Sequence, residues 1–327
     1  MLKPFEYFSP NTLEEASMIL DADKGRWLIS GSTDLIGEMK NGTLEPTGLV
    51  GLKKIEELYG IVWTEGSLKI GSMVTLSDIA SNNEIKFRCR ALAEAAESVA
   101  TTQIRNQGTL GGNLCQRPRC WYYRNKSFDC LKKGGDRCYA IGGLDRYHAA
   151  LGKGKCIIVH PSDTATALMA LDAKLTIFSG SSEKVVPISE FFISPDVDVT
   201  RENILSSGEI LVSIEIPAES LDNSTVFMKA KERQSMDFAL ASIAVAIRKD
   251  KRKILSARVS LGGIAPIPMR LSLIENYLEQ LDFDELDFGY VNDLFMRETQ
   301  PSDPNNYKIL ICKAYLQRSL SQIISSE

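Results

Sequence analysis

The 327-residue chain predicts an α+β protein of two to three compact units. Three observations carry that prediction. Short apolar runs that suit strands are interleaved with segments of helical spacing up to about Pro217. Beyond Ser224 an alternating strand precedes a helical C-terminus. Between Cys115 and Lys155 every hydrophobic period is lost, and the chain turns rich in Arg, Lys, Gly, Tyr and Cys.

The first segment reads strand, helix, strand, loop, helix. Asn11 suits the N-cap of a helix carrying Leu13, Ala16 and Leu20, with Glu14 three residues on as its capping-box partner. Trp27-Leu28-Ile29 is a short apolar strand that runs into Ser30-Gly31-Ser32-Thr33-Asp34, and a short helix then ends near Gly42. A second unit starts near Leu68-Lys69-Ile70, with a helix over Ala91–Val99 and a loop over Thr101–Asn113. A structureless stretch as long as the one that follows needs something besides a core to order it. Regular structure resumes at Cys156-Ile157-Ile158-Val159, followed by a helix over Thr164–Leu171 and a strand over Leu175–Phe178. Pro217–Ser224 marks a boundary. Phe238–Ile247 suits a buried strand or helix, and Lys249–Lys253 is a charged turn. Leu255, Ala257, Val259 and Leu261 alternate with polar residues as a half-buried strand. Ile309, Cys312, Leu316 and Leu320 recur at helical spacing.

Composition narrows the function. A net charge of −4 leaves no basic field to draw in nucleic acid. No apolar run approaches the roughly 20 residues of a membrane span, and MLKPFEYFSPNTLEE lacks a signal-peptide core, so a cytoplasmic location is expected.

Two loops suit phosphate: Ser30-Gly31-Ser32-Thr33-Asp34 and Gly108-Thr109-Leu110-Gly111-Gly112-Asn113. Glycine lets backbone approach a ligand closely, successive N–H groups form anion-binding nests, and the helix after the first loop adds its dipole. Neither loop is a dinucleotide fingerprint or a P-loop. Two in one chain favour a diphosphate ligand, which spacing alone does not name.

Five of the seven cysteines fall between 115 and 156: Cys115, Cys120, Cys130, Cys138 and Cys156. In a cytosolic chain of this size metal ligation explains them better than disulfides. An iron–sulfur cluster, zinc with His148 or His160 as a further ligand, and inert thiols all stay open on spacing. Cys89 and Cys312 read as core residues.

Ile29-Ser30-Gly31-Ser32-Thr33-Asp34-Leu35 resembles the first FAD-diphosphate loop of the flavoprotein subunits of molybdenum hydroxylases, the xanthine dehydrogenase family. Gln103-Ile104-Arg105-Asn106-Gln107-Gly108-Thr109-Leu110-Gly111-Gly112-Asn113-Leu114 is similar to their second loop. His160-Pro161-Ser162-Asp163 and Phe227-Met228-Lys229 with Arg233 and Asp237-Phe238-Ala239 resemble later family segments. Ser30 and Ser32 stand where many relatives have Ala and Gly. The stretch Arg119-Cys120-Trp121 … Cys130 … Cys138 … Cys156 resembles the subset with an extra [4Fe–4S] cluster. That subset comprises the 4-hydroxybenzoyl-CoA reductase beta subunit and the flavin subunits of some bacterial aldehyde oxidoreductases.

The resemblance implies a two-subdomain FAD-binding domain followed by a smaller α+β domain of the CO dehydrogenase flavoprotein type. The implied divisions are 1–60, 61–220 with the iron–sulfur insertion at about 115–156, and 221–327. It places FAD against Ile29, Ser30, Gly31, Ser32, Thr33, Asp34, Leu35, Thr102, Thr109, Gly111, Gly112, Asn113, Cys115, Asp163, Lys229, Asp237 and Phe238. The implied cluster ligands are Cys120, Cys130, Cys138 and Cys156, with Cys115 either a fifth candidate or a flavin-side packing residue. It also implies a large molybdopterin-binding subunit, a small [2Fe–2S] subunit and an external redox partner such as a ferredoxin. The function expected is an electron relay, with substrate chemistry on the large subunit. That chemistry is hydroxylation of an aldehyde or heterocycle, or reductive dehydroxylation, the latter slightly favoured. A stand-alone FAD dehydrogenase and a zinc-stabilised nucleotide-binding module are the alternatives.

Overall fold

Three sheets organise the chain in a computed structural model that describes residues 2–152, 154–279, 281–300 and 305–325. The first is parallel, in the order β1 (Glu6–Phe8), β3 (Gly48–Gly51), β2 (Arg26–Ile29). Parallel neighbours need crossover connections, and these are α1 (Leu13–Ala22) and α2 (Leu35–Asn41). The N-cap of α1 is Thr12, not Asn11. Thr12 is extended (φ −130°, ψ 163°), as suits a β-branched residue. Its Oγ1 accepts the Glu15 N–H at 3.2 Å, while the Glu15 carboxylate accepts the Asn11 N–H at 2.8 Å. The capping exchange thus lies one residue beyond the expected Asn11–Glu14 pair. Gly42 ends α2 in the left-handed region, φ 68°, as its position predicts.

The second sheet is antiparallel, in the order β4 (Ile61–Trp63), β5 (Ser67–Gly71), β8 (Glu209–Pro217), β6 (Lys174–Ser179), β7 (Ser182–Pro187). Helices α3 (Leu76–Ser81), α4 (Asn83–Arg88) and α5 (Arg90–Glu97) follow β5. Leu92 and four alanines of α5 are buried, and their small side chains let neighbouring elements come close. The expected Thr101–Asn113 loop is instead two short helices, α6 (Thr102–Gln107) and α7 (Leu110–Leu114). Thr101 and Thr109 cap them by accepting the Ile104 and Gly112 N–H groups. Helix α8 (Asp163–Ala170) is buried on every side, and the short α9 (Ile188–Phe191) follows β7.

The third sheet, in the order β12 (Met269–Arg270), β11 (Lys253–Gly262), β10 (Ala241–Asp250), β9 (Ser224–Ala230), is antiparallel. The apolar run at 238–247 is therefore a central strand. A register shift at Arg248/Lys249 puts Ile254 into the core in place of Leu255. Helices α10 (Ser272–Leu278), α11 (Phe288–Thr299) and α12 (Asn306–Ser325) cover the sheet, with Ile309, Cys312, Leu316 and Leu320 facing the core. Cys89 and Cys312 are fully buried in apolar clusters, as expected.

Residues 115–162 hold little regular structure beyond a turn at Leu131–Lys133. Cys156–Val159, expected as regular structure, joins no sheet. Its backbone instead receives the Ala149 N–H at Ile157 O, at 2.9 Å. Side chains and α12 order this segment. Tyr122, Phe128 and Tyr139 pack with centroids 5.1–6.2 Å apart, and Trp121 stands edge-on to His148. Asn305 Nδ2 donates to Asp145 O, Tyr307 Oη to Arg146 O and Lys308 Nζ to Tyr147 O. No helix among the described residues is long and apolar enough to cross a membrane.

Candidate functional site

A cavity of about 710 Å³ opens where the three sheets meet, a size typical of ligand sites. Ile29 through Leu35, Thr109, Gly111 through Asn113, Cys115, Asp163, Lys229, Asp237 and Phe238 all line it. Thr102 does not. It is exposed on α6, where its hydroxyl accepts from Arg105. Leu28, Met73, Leu76 and Val99 supply apolar wall.

The two glycine loops touch. A Cβ on Gly31 would lie 2.0 Å from Gln107 O, and one on Gly112 would lie 2.8 Å from Ser30 Oγ. Thr109 Oγ1 donates to Ser30 Oγ at 3.2 Å. Their backbones are used differently. The N–H groups of Ser32, Thr33 and Asp34 meet no acceptor among the described residues. Ser32 takes φ 62°, the left-handed conformation that glycine adopts most readily and that suits an anion nest. In the second loop the N–H groups are spent internally: Leu110 on Val74 O, Gly111 on Ser72 O, Gly112 on Thr109 Oγ1 and Asn113 on Thr109 O. Three successive N–H groups of the first loop are thus without an acceptor among the described residues, whereas those of residues 110–113 in the second are paired. These features fit the diphosphate of FAD.

The carboxylates on the cavity are all paired. Asp34 accepts the Arg117 N–H (2.8 Å), Arg124 Nη2 (2.7 Å) and Arg119 Nη1. Burial opposes its ionisation, yet Arg119 and Arg124 outweigh that and hold the carboxyl below its ordinary value. Glu38 lies 3.6 Å from Arg124 and is raised by burial. Glu202 pairs with Arg117 (2.8 Å) and Lys132, Glu209 with Lys184 (2.5 Å) and Asp237 with Arg233 (3.8 Å). Asp163 and Lys229, 4% and 3% exposed, are joined at 2.6 Å, and Lys229 also donates to Ser98 O at 3.1 Å. Asn113 Oδ1 accepts from Ser162 Oγ (2.5 Å) and Thr164 Oγ1 (2.7 Å), which fixes the start of α8 against the second loop. Arg119 also lies over Phe238, 4.8 Å from the ring centre.

A second, small pocket brings Cys120, Cys130, Cys138 and Cys156 together with Tyr122, Tyr123, Tyr139, Lys132 and His148. Cys115 is not part of it. That side chain lines the larger cavity, where burial pushes its thiol up to about 12. Several backbone N–H groups point at the pocket sulfurs: Tyr122 and Tyr123 at Cys120, Ala140, Ile141 and Ile157 at Cys138, and Ile158 at Cys156. The Cys156 S–H faces Cys138 and helps draw the Cys138 thiol down to about 5, while burial raises Cys120. His148 Nε2 stands 3.2 Å from Cys120 Sγ, and burial lowers its basicity. His160 is away from these thiols. It packs on Phe192, accepts the Ser162 N–H, and falls to about 3 through burial. Among the described residues no group of three or more His, Cys, Asp and Glu side chains is arranged to hold a single metal ion.

Arg117, Arg119, Arg124, Glu38 and Glu202 were not among the expected site residues. One signal for the cations was present: ten Lys and Arg against three Asp and no Glu between Cys115 and Cys156, in a chain of net charge −4.

Comparison with known proteins shows the family. Residues 3–219 match the FAD binding domain in molybdopterin dehydrogenase, and residues 226–323 the CO dehydrogenase flavoprotein C-terminal domain. The chain is 33% identical to the aldehyde oxidoreductase FAD-binding subunit PaoB of Escherichia coli K12, over 98% of each chain. It is 26% identical to the carbon monoxide dehydrogenase medium chain of Hydrogenophaga pseudoflava, over 83% of this chain and 78% of that one. In fold it is similar to a chain of carbon monoxide dehydrogenase from H. pseudoflava, with TM-score 0.77, 23% identity and 98% and 97% coverage. The chain belongs to the FAD-binding flavoprotein subunits of the molybdopterin dehydrogenase family.

Proposed function

We propose that this chain is the electron-transfer subunit of a multi-subunit molybdenum-dependent oxidoreductase, holding FAD in the large cavity and a [4Fe–4S] cluster on Cys120, Cys130, Cys138 and Cys156. The pairing of every cavity carboxylate carries the relay part of this reading. A dehydrogenase acting alone needs an acid–base group beside the flavin, and Asp34, Glu38, Asp163, Glu202, Glu209 and Asp237 are each committed to a cation. Substrate chemistry then belongs on a large molybdopterin subunit, reached through a small [2Fe–2S] subunit, with a ferredoxin or similar carrier as external partner.

Bound FAD supplies an exchange of two electrons on one side and single electrons on the other. The chain's own residues set the conditions. Ser32, Thr33 and Asp34 offer N–H groups to the diphosphate, Leu28, Met73 and Leu76 supply apolar wall, and Lys229–Asp163 fixes a buried dipole at the cavity wall. Four thiols lining one pocket match the ligand count of a [4Fe–4S] cluster. The N–H groups aimed at the sulfurs support the same choice. Full-length similarity to an aldehyde oxidoreductase subunit favours aldehyde hydroxylation over the reductive dehydroxylation first expected. The chain divides at 1–60 and 61–220, the two FAD-binding subdomains, and 221–327, the C-terminal domain.

The test is the visible spectrum of anaerobically purified protein before and after dithionite, with iron, sulfide and zinc assayed on the same sample. FAD with about four irons and four sulfides per chain supports both centres. FAD with zinc and no sulfide removes the cluster, and a chain that takes up no FAD removes the relay.

A further inference from the structure

Three carboxylates that line the cavity are paired with cations of the cysteine insertion. Asp34 meets Arg119 and Arg124, Glu38 meets Arg124, and Glu202 meets Arg117 and Lys132. Tyr123 adds a hydrogen bond to Glu38 and lies between two of these cations, with its ring 5.1 Å from Arg117 and 5.8 Å from Arg124. The seam has the flavin cavity on one side, lined by Asp34, Glu38, Arg117, Arg119 and Glu202. On the other is the cysteine pocket, lined by Tyr123 and Lys132.

We propose that the cysteine insertion is a structural wall of the flavin site, in which Arg117 and Arg119 face the cofactor and the buried ion pairs make FAD affinity and ordering of the insertion depend on each other. The physical basis is that each carboxylate is desolvated, so losing its cation leaves a buried charge unpaired, a costly outcome. The insertion cannot loosen without exposing Asp34, the residue that closes the first diphosphate loop. Linkage requires the converse: a ligand that holds the first loop holds the insertion too. Arg119 strengthens the coupling, since it also stacks on Phe238 from the connection between β9 and β10. The inference rests on FAD occupying the cavity and is independent of what the cysteines bind.

The experiment uses the full-length chain, stripped of flavin and titrated with FAD, with amide hydrogen exchange followed over residues 117–148. Lys132→Met is the variant, because Lys132 lines the cysteine pocket and not the flavin cavity. FAD is expected to slow exchange across 117–148 at least tenfold in the unaltered chain, and Lys132→Met to raise the Kd for FAD at least tenfold. An unaltered chain that binds FAD with no change in that exchange overturns the proposal, whether or not the variant folds. A folded Lys132→Met chain with a Kd within twofold of the original also overturns it. Failure of the unaltered chain to bind FAD at all is a different result, which removes the flavin assignment beneath it.

Discussion

Gly31→Ala tests whether the two loops form one cradle. The added Cβ would lie 2.0 Å from Gln107 O, 2.8 Å from Gln107 C and 3.0 Å from Gly108 Cα. All three are backbone atoms, so no rotamer change relieves the clash. Ordinary contact begins near 3.4 Å, and the loops must part by about 1.4 Å. Overpacking of this kind costs about 1–3 kcal/mol in stability. A misplacement of about 1 Å in a preorganised site costs about 100-fold, so the Kd for FAD should rise about 100-fold, equivalent to about 2.7 kcal/mol. Isothermal titration of FAD into flavin-free protein measures it. Gly37→Ala is the control: its Cβ meets nothing within 4 Å, and it lies within α2 but off the cavity. It should keep its FAD affinity and gain about 0.5–1 kcal/mol from helix propensity. If Gly31→Ala binds FAD within threefold of the original chain, the loops are not the contact surface described.

Lys229→Met leaves Asp163 buried without its cation and should cost about 3–5 kcal/mol in urea unfolding. Adding Asp163→Asn should return part of that loss, and equal destabilisation of single and double variants would refute the pairing. Lys308 is fully buried, donating to Gly263 O and Tyr147 O, and burial lowers it from 10.5 to about 7. Between those values the unfolded chain holds a proton that the native chain lacks, so stability should rise with pH from about 7 towards 10.5 and stay flat with respect to this group below 7. Lys308→Met should flatten that rise, and parallel stability curves at pH 7 and 9 for both chains would sink it.

Much of the fold was legible because local signals agreed with tertiary ones. Gly42 marked the end of α2, and the spacing of Ile309, Cys312, Leu316 and Leu320 marked α12. The loop over Thr101–Asn113 was misread because α6 and α7 are too short for hydrophobic periodicity to register. Their threonine caps, Thr101 and Thr109, were the available signal. The insertion resisted reading for a different reason. Its order comes from aromatic packing, from ion pairs to residues far along the chain, and from α12 side chains gripping the carbonyls of residues 145–147. Such contacts leave no period in the sequence.

The least legible feature is the use made of Asp34. A carboxylate closing a phosphate loop is electrostatically unfavourable, because it stands beside the anion it is meant to help bind. The structure eases the conflict by pairing the charge with Arg119 and Arg124, while the backbone N–H groups at 32–34 keep no acceptor among the described residues. That division needs cations from elsewhere in the chain, and in this protein they come from the segment that carries the cysteines. A loop motif read alone does not show what neutralises its acid, and hence not that residues of the cysteine segment line the cavity. The basic excess between Cys115 and Cys156 is the sequence trace of that arrangement: Arg117, Arg119 and Arg124 meet carboxylates from outside the segment and are not left facing solvent.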